Sequence, residues 1–147
     1  MIPAATNPTL QKFLTPDSFI FETARWVLTL RPLQPTLGST VLISKSDVTA
    51  VTDLSPEDVT DLHAAWQKVG AMYRATFQPD KMNHLALMMT DPNPHFHILP
   101  RYAEKRAFDG SFFADTAWPT LPNTREADLD LTSAQRVKLA EYLRNAI

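Results

Sequence analysis

One long stretch of helical periodicity interrupts a sequence that is otherwise rich in short β-type runs. The stretch begins at Ser55–Asp58, where Ser55 suits the N-cap, Pro56 suits the first helical position and two acidic residues follow at the positive end of the helix dipole. Apolar side chains then recur every three or four residues, at Val59, Leu62, Trp66, Val69 and Tyr73. This spacing predicts a helix that runs to about Thr76 and buries one stripe.

The β-type runs lie on both sides of that helix. They are Phe19–Phe21, Arg25–Leu30 and Ser39–Lys45 before it, and Met82–Thr90 and His95–Tyr102 after it. A second helix is predicted from Thr132 to the C-terminus, because Gln135 three residues later completes a capping box. Strands, helix, strands and helix in this order predict an α+β fold, with a mainly antiparallel sheet of about five strands, one long helix and a C-terminal helix.

The remaining segments carry weaker signals. The stretch before about Asp17 contains three prolines and is expected to be an arm with little structure of its own, and residues 103–130 are expected to be irregular. A length of 147 residues suits one domain. We therefore expect a single domain over residues 1–147, with its core at about 19–102 and a C-terminal extension at 103–147.

Composition excludes several classes of protein. An apolar content of 44% and a net charge of −2 exclude a disordered chain. No apolar run reaches the roughly 18 residues of a membrane span, and 14 basic against 16 acidic residues give no nucleic-acid footprint. The absence of cysteine excludes a thiol nucleophile and a thiolate metal site. Since the N-terminus also lacks a secretory layout, we expect a cytoplasmic protein with neither a membrane nor a nucleic-acid partner.

The most informative chemistry lies in one short segment, Asn93–Tyr102. In an extended chain Asn93, His95 and His97 project to one side, about 7 Å apart in succession, while Phe96 and Ile98 project into the core. An imidazole is neutral enough at pH 7 to act as a nucleophile, and its other nitrogen donates a hydrogen bond. A phosphoryl group suits both properties, because one ring could attack phosphorus while the others hold its oxygens.

Two other interpretations of the pair stay open. His95 and His97 could be ordinary half-exposed strand residues. They could also be metal ligands, but a site needs a third or fourth ligand, and no ligand-rich motif accompanies the pair. The other two histidines, His63 and His84, are interpreted as structural.

The segment His95–Tyr102, HFHILPRY, resembles the end of the histidine triad motif, in which three histidines alternate with apolar residues before Pro-Arg. The residues Asp80–Asn83 look like the Asp-Lys-apolar-Asn run that opens the preceding strand in some bacterial members. Earlier in the chain, three more segments occur in the same order as in that family: Trp26–Pro32, Gly38–Lys45 and Asp53–Ser55. The resemblance to the histidine triad (HIT) family covers roughly Phe19 to Tyr102.

The resemblance implies hydrolysis or transfer at the α-phosphate of a dinucleoside polyphosphate or a nucleoside phosphoramidate. By position, His95 is the middle histidine, which attacks phosphorus to form a nucleotidyl-histidine, and His97 supports the phosphate and the leaving group. Arg101, which follows the motif, could reach a phosphate or form a structural ion pair. The resemblance further implies a small-molecule nucleotide as partner, a homodimer, no cofactor and no metal on these histidines.

Four residues, at three points of the site, depart from the family pattern. Asn93 replaces the first histidine of the triad, and its amide can bond a phosphate oxygen but cannot become cationic. Met88 and Met89 stand where small or polar residues are usual, and Asp47 stands where a further histidine is usual. Two alternatives to an active hydrolase follow: a HIT-like protein that binds nucleotide with little or no turnover, and a His-x-His metal-binding protein.

Overall fold

The computed structural model describes residues 1–147, and it confirms the α+β architecture. In chain order the elements are α1 Pro8–Phe13, β1 Phe19–Glu22, β2 Trp26–Leu30, β3 Thr40–Ser44, α2 Pro56–Ala75, β4 Lys81–Leu85, β5 His95–Arg101, β6 Arg106–Phe108, β7 Ser111–Phe113 and α3 Ser133–Arg144, with one 3-10 turn at Val51–Asp53. Five strands form an antiparallel sheet in the order β1-β2-β3-β5-β4, so β5 has a neighbour on each side.

One face of the sheet packs against α2 and α3. Helix α2 starts as predicted, since the Ser55 and Asp58 side chains cap each other's backbone N–H groups. Its buried stripe contains Leu62, Ala65, Val69, Met72 and Tyr73. The prediction for Val59 was wrong, because its side chain is 52% exposed beyond the edge of the sheet-facing stripe. Helix α3 is capped by Thr132 and Gln135 as predicted, and it buries Leu139 and Leu143.

The opposite face of the sheet is covered by α1, which corrects the prediction of an unstructured arm. The Asn7 side chain accepts a hydrogen bond from the Leu10 backbone and donates to the carbonyls of Ser44 and Ser46. A second apolar cluster then forms from Leu10, Phe13, Leu14, Val27, Val41 and Ile43. A six-residue helix is too short to show periodicity and gains its stability from tertiary packing, so no periodic pattern predicted it.

Two further segments differ from expectation. Strand β4 ends at Leu85, and residues 86–94 form a loop that leads into β5. Residues 106–113 form a hairpin inside the segment expected to be irregular, turned by Asp109 and Gly110, which both have positive φ. None of the helices combines the length and apolar character that crossing a bilayer demands.

Candidate active site

Strand β5 directs His95 and His97 to the same face of the sheet, as the alternation predicted, and α1 covers that face. Phe96 and Ile98 point the other way and pack with the core beneath α2. The two imidazole rings are neighbours, with centroids 5.0 Å apart and planes at 83°. Because β5 is an inner strand paired with Ile43 opposite His95 and Val41 opposite His97, both rings project from a rigid part of the sheet.

The hydrogen bond of His95 determines which of its nitrogens is free. Its Nδ1 lies 2.7 Å from the backbone oxygen of Asn93. A carbonyl oxygen only accepts, so Nδ1 carries the hydrogen and Nε2 holds the lone pair in the neutral ring. The residue is nevertheless only 1% exposed, since the Phe13 ring of α1 packs against it at a centroid distance of 6.3 Å.

His97 is half-buried and has the opposite arrangement. The Arg31 side chain donates from Nε to His97 Nδ1 over 3.2 Å, so the imidazole hydrogen is on Nε2. Burial, together with the positive charge of Arg31, lowers the pKa of His97 to about 4. The guanidinium is itself held by the carbonyls of Leu33 and Thr124, at 2.9 and 2.6 Å. His97 is therefore a neutral donor at physiological pH.

Asn93, in the position of the first triad histidine, is engaged by α1. Its Oδ1 accepts from the backbone N–H and the hydroxyl of Thr9, at 3.3 and 3.0 Å. The backbone N–H of Asn93 donates in turn to the Thr9 hydroxyl. Its Nδ2 donates to the carbonyl of Val48. With 2% of the residue exposed, the amide has no free face toward solvent.

Arg101 is not brought together with the histidines. It lies four residues beyond His97 on the same strand, a separation of about 13 Å. Its guanidinium pairs with Asp115 at 2.7 and 3.2 Å and also donates to Asn83 and to the carbonyl of Thr120. The side chain is 5% exposed. Arg101 was expected either to reach a phosphate or to form a structural ion pair, and the structure shows the ion pair with Asp115.

A hollow of about 480 Å³ opens beside His97, and we call it the outer hollow. It is lined by Lys12, Phe13, Arg31, Pro32, Leu33, Leu87, Met89, Thr90, Asp91, His97, Thr124 and Arg125. Three of these residues are cationic, and the one acid, Asp91, pairs with Lys12 at 2.9 Å. Leu33, Leu87 and Met89 give it an exposed apolar rim. Sequence reasoning missed the cations, because they come from three distant segments and no local motif marks them.

The other departures from the family pattern lie outside this arrangement. Asp47 is exposed and does not line the outer hollow, and Met88 is half-buried. His63 and His84 are exposed on α2 and β4. The chain contains no group of three or more His, Asp or Glu side chains placed to hold a metal ion. A hollow of about 620 Å³ elsewhere is lined by Arg25 and Lys45, and both cations are paired, with Asp58 and Glu22 respectively.

Comparison with known proteins agrees with the geometry of β5. The family model described as the HIT domain matches residues 14–104, which include both histidines. The chain belongs to the HIT family. The match begins directly after helix α1, so α1 precedes the HIT domain in the sequence. A search of curated proteins gave no significant match.

Solved structures share the HIT fold with this chain. A histidine triad protein from Sinorhizobium meliloti 1021 has a TM-score of 0.70 at 16% identity, covering 94% of this chain and 99% of that one. The C. elegans NitFhit protein has a TM-score of 0.64 at 22% identity; 91% of this chain is covered, which spans only 28% of the NitFhit chain. A Zn-bound histidine triad family protein from Mycobacterium smegmatis has a TM-score of 0.59 at 22% identity, covering 90% and 84%.

Proposed function

We propose that this HIT protein is a nucleotide hydrolase or transferase that acts at an α-phosphate with His95 as its nucleophile. The observation that carries the proposal is the hydrogen bond from His95 Nδ1–H to the Asn93 carbonyl, which leaves the lone pair on Nε2. Attack makes the ring cationic, and the carbonyl then stabilises the remaining N–H. Family membership supports the same class of chemistry.

The reaction proceeds in two balanced steps. In the first, His95 Nε2 forms a bond to the α-phosphorus, and the bond from phosphorus to the leaving-group oxygen breaks, releasing a nucleotide. The Nε2–H of His97 donates a hydrogen bond to the phosphate or to the departing oxygen. In the second, a water oxygen bonds to phosphorus, the P–N bond breaks and a proton is released, giving a nucleoside monophosphate and free His95.

The outer hollow supports a dinucleoside polyphosphate, such as diadenosine tetraphosphate, as the substrate class. Arg31 and Arg125 place positive charge beside His97, where additional phosphates would lie. The apolar rim of Leu33, Leu87 and Met89 suits a nucleobase, because such exposed apolar patches mark ligand sites. A nucleoside phosphoramidate has a single phosphate and would use less of this charge.

The test compares hydrolysis of diadenosine tetraphosphate and adenosine phosphoramidate by wild type and His95→Ala, with mononucleotide release followed by chromatography. Loss of the nucleophile lowers the rate on the order of 10³-fold or more. His63→Ala, an exposed histidine on α2, is the matched control and keeps the wild-type rate. An adduct of one nucleotidyl mass on wild type but not on His95→Ala supports the intermediate. Equal rates for wild type and His95→Ala would eliminate His95 as nucleophile.

A second candidate is a nucleotide-binding protein with little turnover, favoured by the burial of His95 and the engagement of Asn93 by α1. Calorimetry with AMP and GMP distinguishes the two, since binding without product formation supports the second. A His-x-His metal site has less support, because the chain offers the pair no third ligand, although the M. smegmatis relative is Zn-bound. One equivalent of zinc that is lost in His97→Ala would favour it.

We also propose that the protein forms a homodimer. Strand β4 is an edge of the sheet, and its residues Lys81–Leu85 are exposed or half-exposed. An uncovered edge is a natural surface for a second copy. Light scattering on the purified protein measures the mass directly, and a value near 33 kDa, twice 16.5 kDa, supports the dimer.

A further inference from the structure

We propose that the N-terminal segment Met1–Leu14 is an autoinhibitory plug, which closes over His95 and must leave before a phosphoryl group can lie between the two imidazole rings. Its catalytic consequence rests on the proposed function. The occlusion of His95 is independent of the proposed function, because it is a property of the folded chain.

The Phe13 ring packs against both imidazole rings, where we infer that a phosphoryl group would lie. Its centroid is 6.3 Å from that of His95 and 6.3 Å from that of His97, while the two imidazole centroids are 5.0 Å apart. A nucleophile must approach phosphorus to roughly 3–3.5 Å before reaction. His95 is 1% exposed and does not line the outer hollow, so the hollow gives access to His97 alone. Movement of Phe13 would join the hollow to His95.

The plug is latched through the altered triad position. The Thr9 hydroxyl donates to Asn93 Oδ1 and accepts from the Asn93 backbone N–H, and both residues are buried. One turn further along α1, Lys12 pairs with Asp91. The residue that stands in place of the first triad histidine therefore binds α1.

Three features suit a plug that opens. Helix α1 has six residues and cannot hold its shape alone, and it precedes the segment that matches the HIT domain. The Lys12 side chain is 52% exposed, so its ion pair is weakened by salt. The Thr29 hydroxyl is buried without a hydrogen-bond partner. Thr29 pairs across the sheet with Val41, which in turn pairs with His97, so all three side chains lie on the same face. A ligand on this face could satisfy that hydroxyl.

Diethyl pyrocarbonate, which modifies unprotonated imidazole, measures the opening without reference to activity. Mass spectrometry follows modification of His95, with the exposed His63 as internal reference. We expect His95 to react at least about tenfold more slowly than His63 in wild type. Thr9→Val, which removes the hydroxyl bonds and keeps the shape, speeds His95 modification by roughly threefold to tenfold. Phe13→Ala speeds it further, and Gln11→Ala, an exposed change on the same helix, leaves it unchanged.

A reversible cross-link tests closure directly, because the chain has no cysteine of its own. In the double variant Lys12→Cys/Asp91→Cys, a bis-methanethiosulfonate reagent joins α1 to the loop before β5, and dithiothreitol removes it. Compared with the same variant left unlinked, the linked protein loses at least about tenfold in His95 modification, and reduction restores it. Hydrolysis of diadenosine tetraphosphate falls as well, but both linked positions line the outer hollow, so the modification is the measure of closure.

The outcomes separate this proposal from the proposed function. If the rate of His95 modification is the same in wild type, Thr9→Val and the linked protein, the plug is wrong. Thr9→Val gives this test even where Phe13→Ala fails to fold. If linking leaves hydrolysis unchanged, the plug is also wrong. If His95 modification responds to Thr9→Val and to linking but neither the wild type nor any variant hydrolyses nucleotide, the plug is supported and the proposed hydrolase activity is wrong.

Discussion

Arg31 and His97 are joined by a hydrogen bond across 66 positions of sequence, from the guanidinium Nε to the imidazole Nδ1. The bond fixes the neutral tautomer of His97, so that its Nε2 is always a donor. The same guanidinium places a positive charge against the ring and opposes its protonation. A single residue after β2 thereby sets both the direction and the charge of the imidazole that borders the outer hollow.

Replacing Arg31 with Met should raise the pKa of His97 from about 4 toward the ordinary value of 6.5. The rise is incomplete, because burial, the larger cause, remains, while Lys12 and His95 still oppose and Asp91 still favours protonation. Titration of the imidazole signals by NMR measures the shift and the tautomer. Arg125→Gln, in the same hollow but with no bond to the ring, is the matched control. A His97 pKa unchanged in Arg31→Met would contradict this role.

The low pKa of His97 should make the folded protein less stable in acid. The folded-state pKa of about 4 lies below the unfolded value of 6.5, so the unfolded chain binds more protons between them. The contribution of neutral His97 to the free energy of unfolding is complete above pH 6.5 and is lost as pH falls through 4. The loss is roughly 2 kcal/mol after allowing for solvent screening. Urea unfolding at pH 7, 5.5 and 4 measures it. His97→Gln should flatten this dependence, and an equally steep profile would exclude His97 as its source.

Breaking the buried pair of Arg101 and Asp115 should destabilise the protein strongly. Asp115→Asn leaves the 5% exposed guanidinium without its counter-charge, which costs roughly 3–5 kcal/mol of unfolding free energy. Lys138→Gln breaks the exposed pair with Asp109 and serves as control, at about 0–1 kcal/mol. Urea unfolding compares the two. If Asp115→Asn instead kept full stability and lost nucleotide binding, Arg101 would act at the phosphate after all.

Two glycines with similar backbone angles should respond differently to substitution. Gly38 and Gly110 have φ of +84° and +78°, so alanine is strained at both, by roughly 1–2 kcal/mol. A methyl group at Gly38 would also meet the Phe77 ring at 3.3 Å, whereas nothing lies within 4 Å at Gly110. Thermal unfolding should therefore show a larger loss for Gly38→Ala than for Gly110→Ala. Equal losses would mean that the Phe77 ring moves aside freely.

Much of the fold was predictable because its signals are local. The period-two alternation of β5 correctly assigned His95 and His97 to one face and Phe96 and Ile98 to the other, and it needs only neighbouring residues. The capped start of α2 was predictable for the same reason. Val59 was misassigned because periodicity gives the direction of a stripe but not where the surface that covers it ends.

The sequence by itself determined which side of β5 carries the two imidazoles and which residues they are. Only the tertiary structure decided what these side chains meet. Phe13 of the short N-terminal helix and Arg31, directly after β2, contact the imidazoles, Thr9 binds Asn93, and Asp115 pairs with Arg101. The physical reason is that strand and helix periods are set by the backbone over a few residues. A contact such as Thr9 with Asn93 joins positions 84 apart, and it exists only once the chain has folded and packing has excluded water between them.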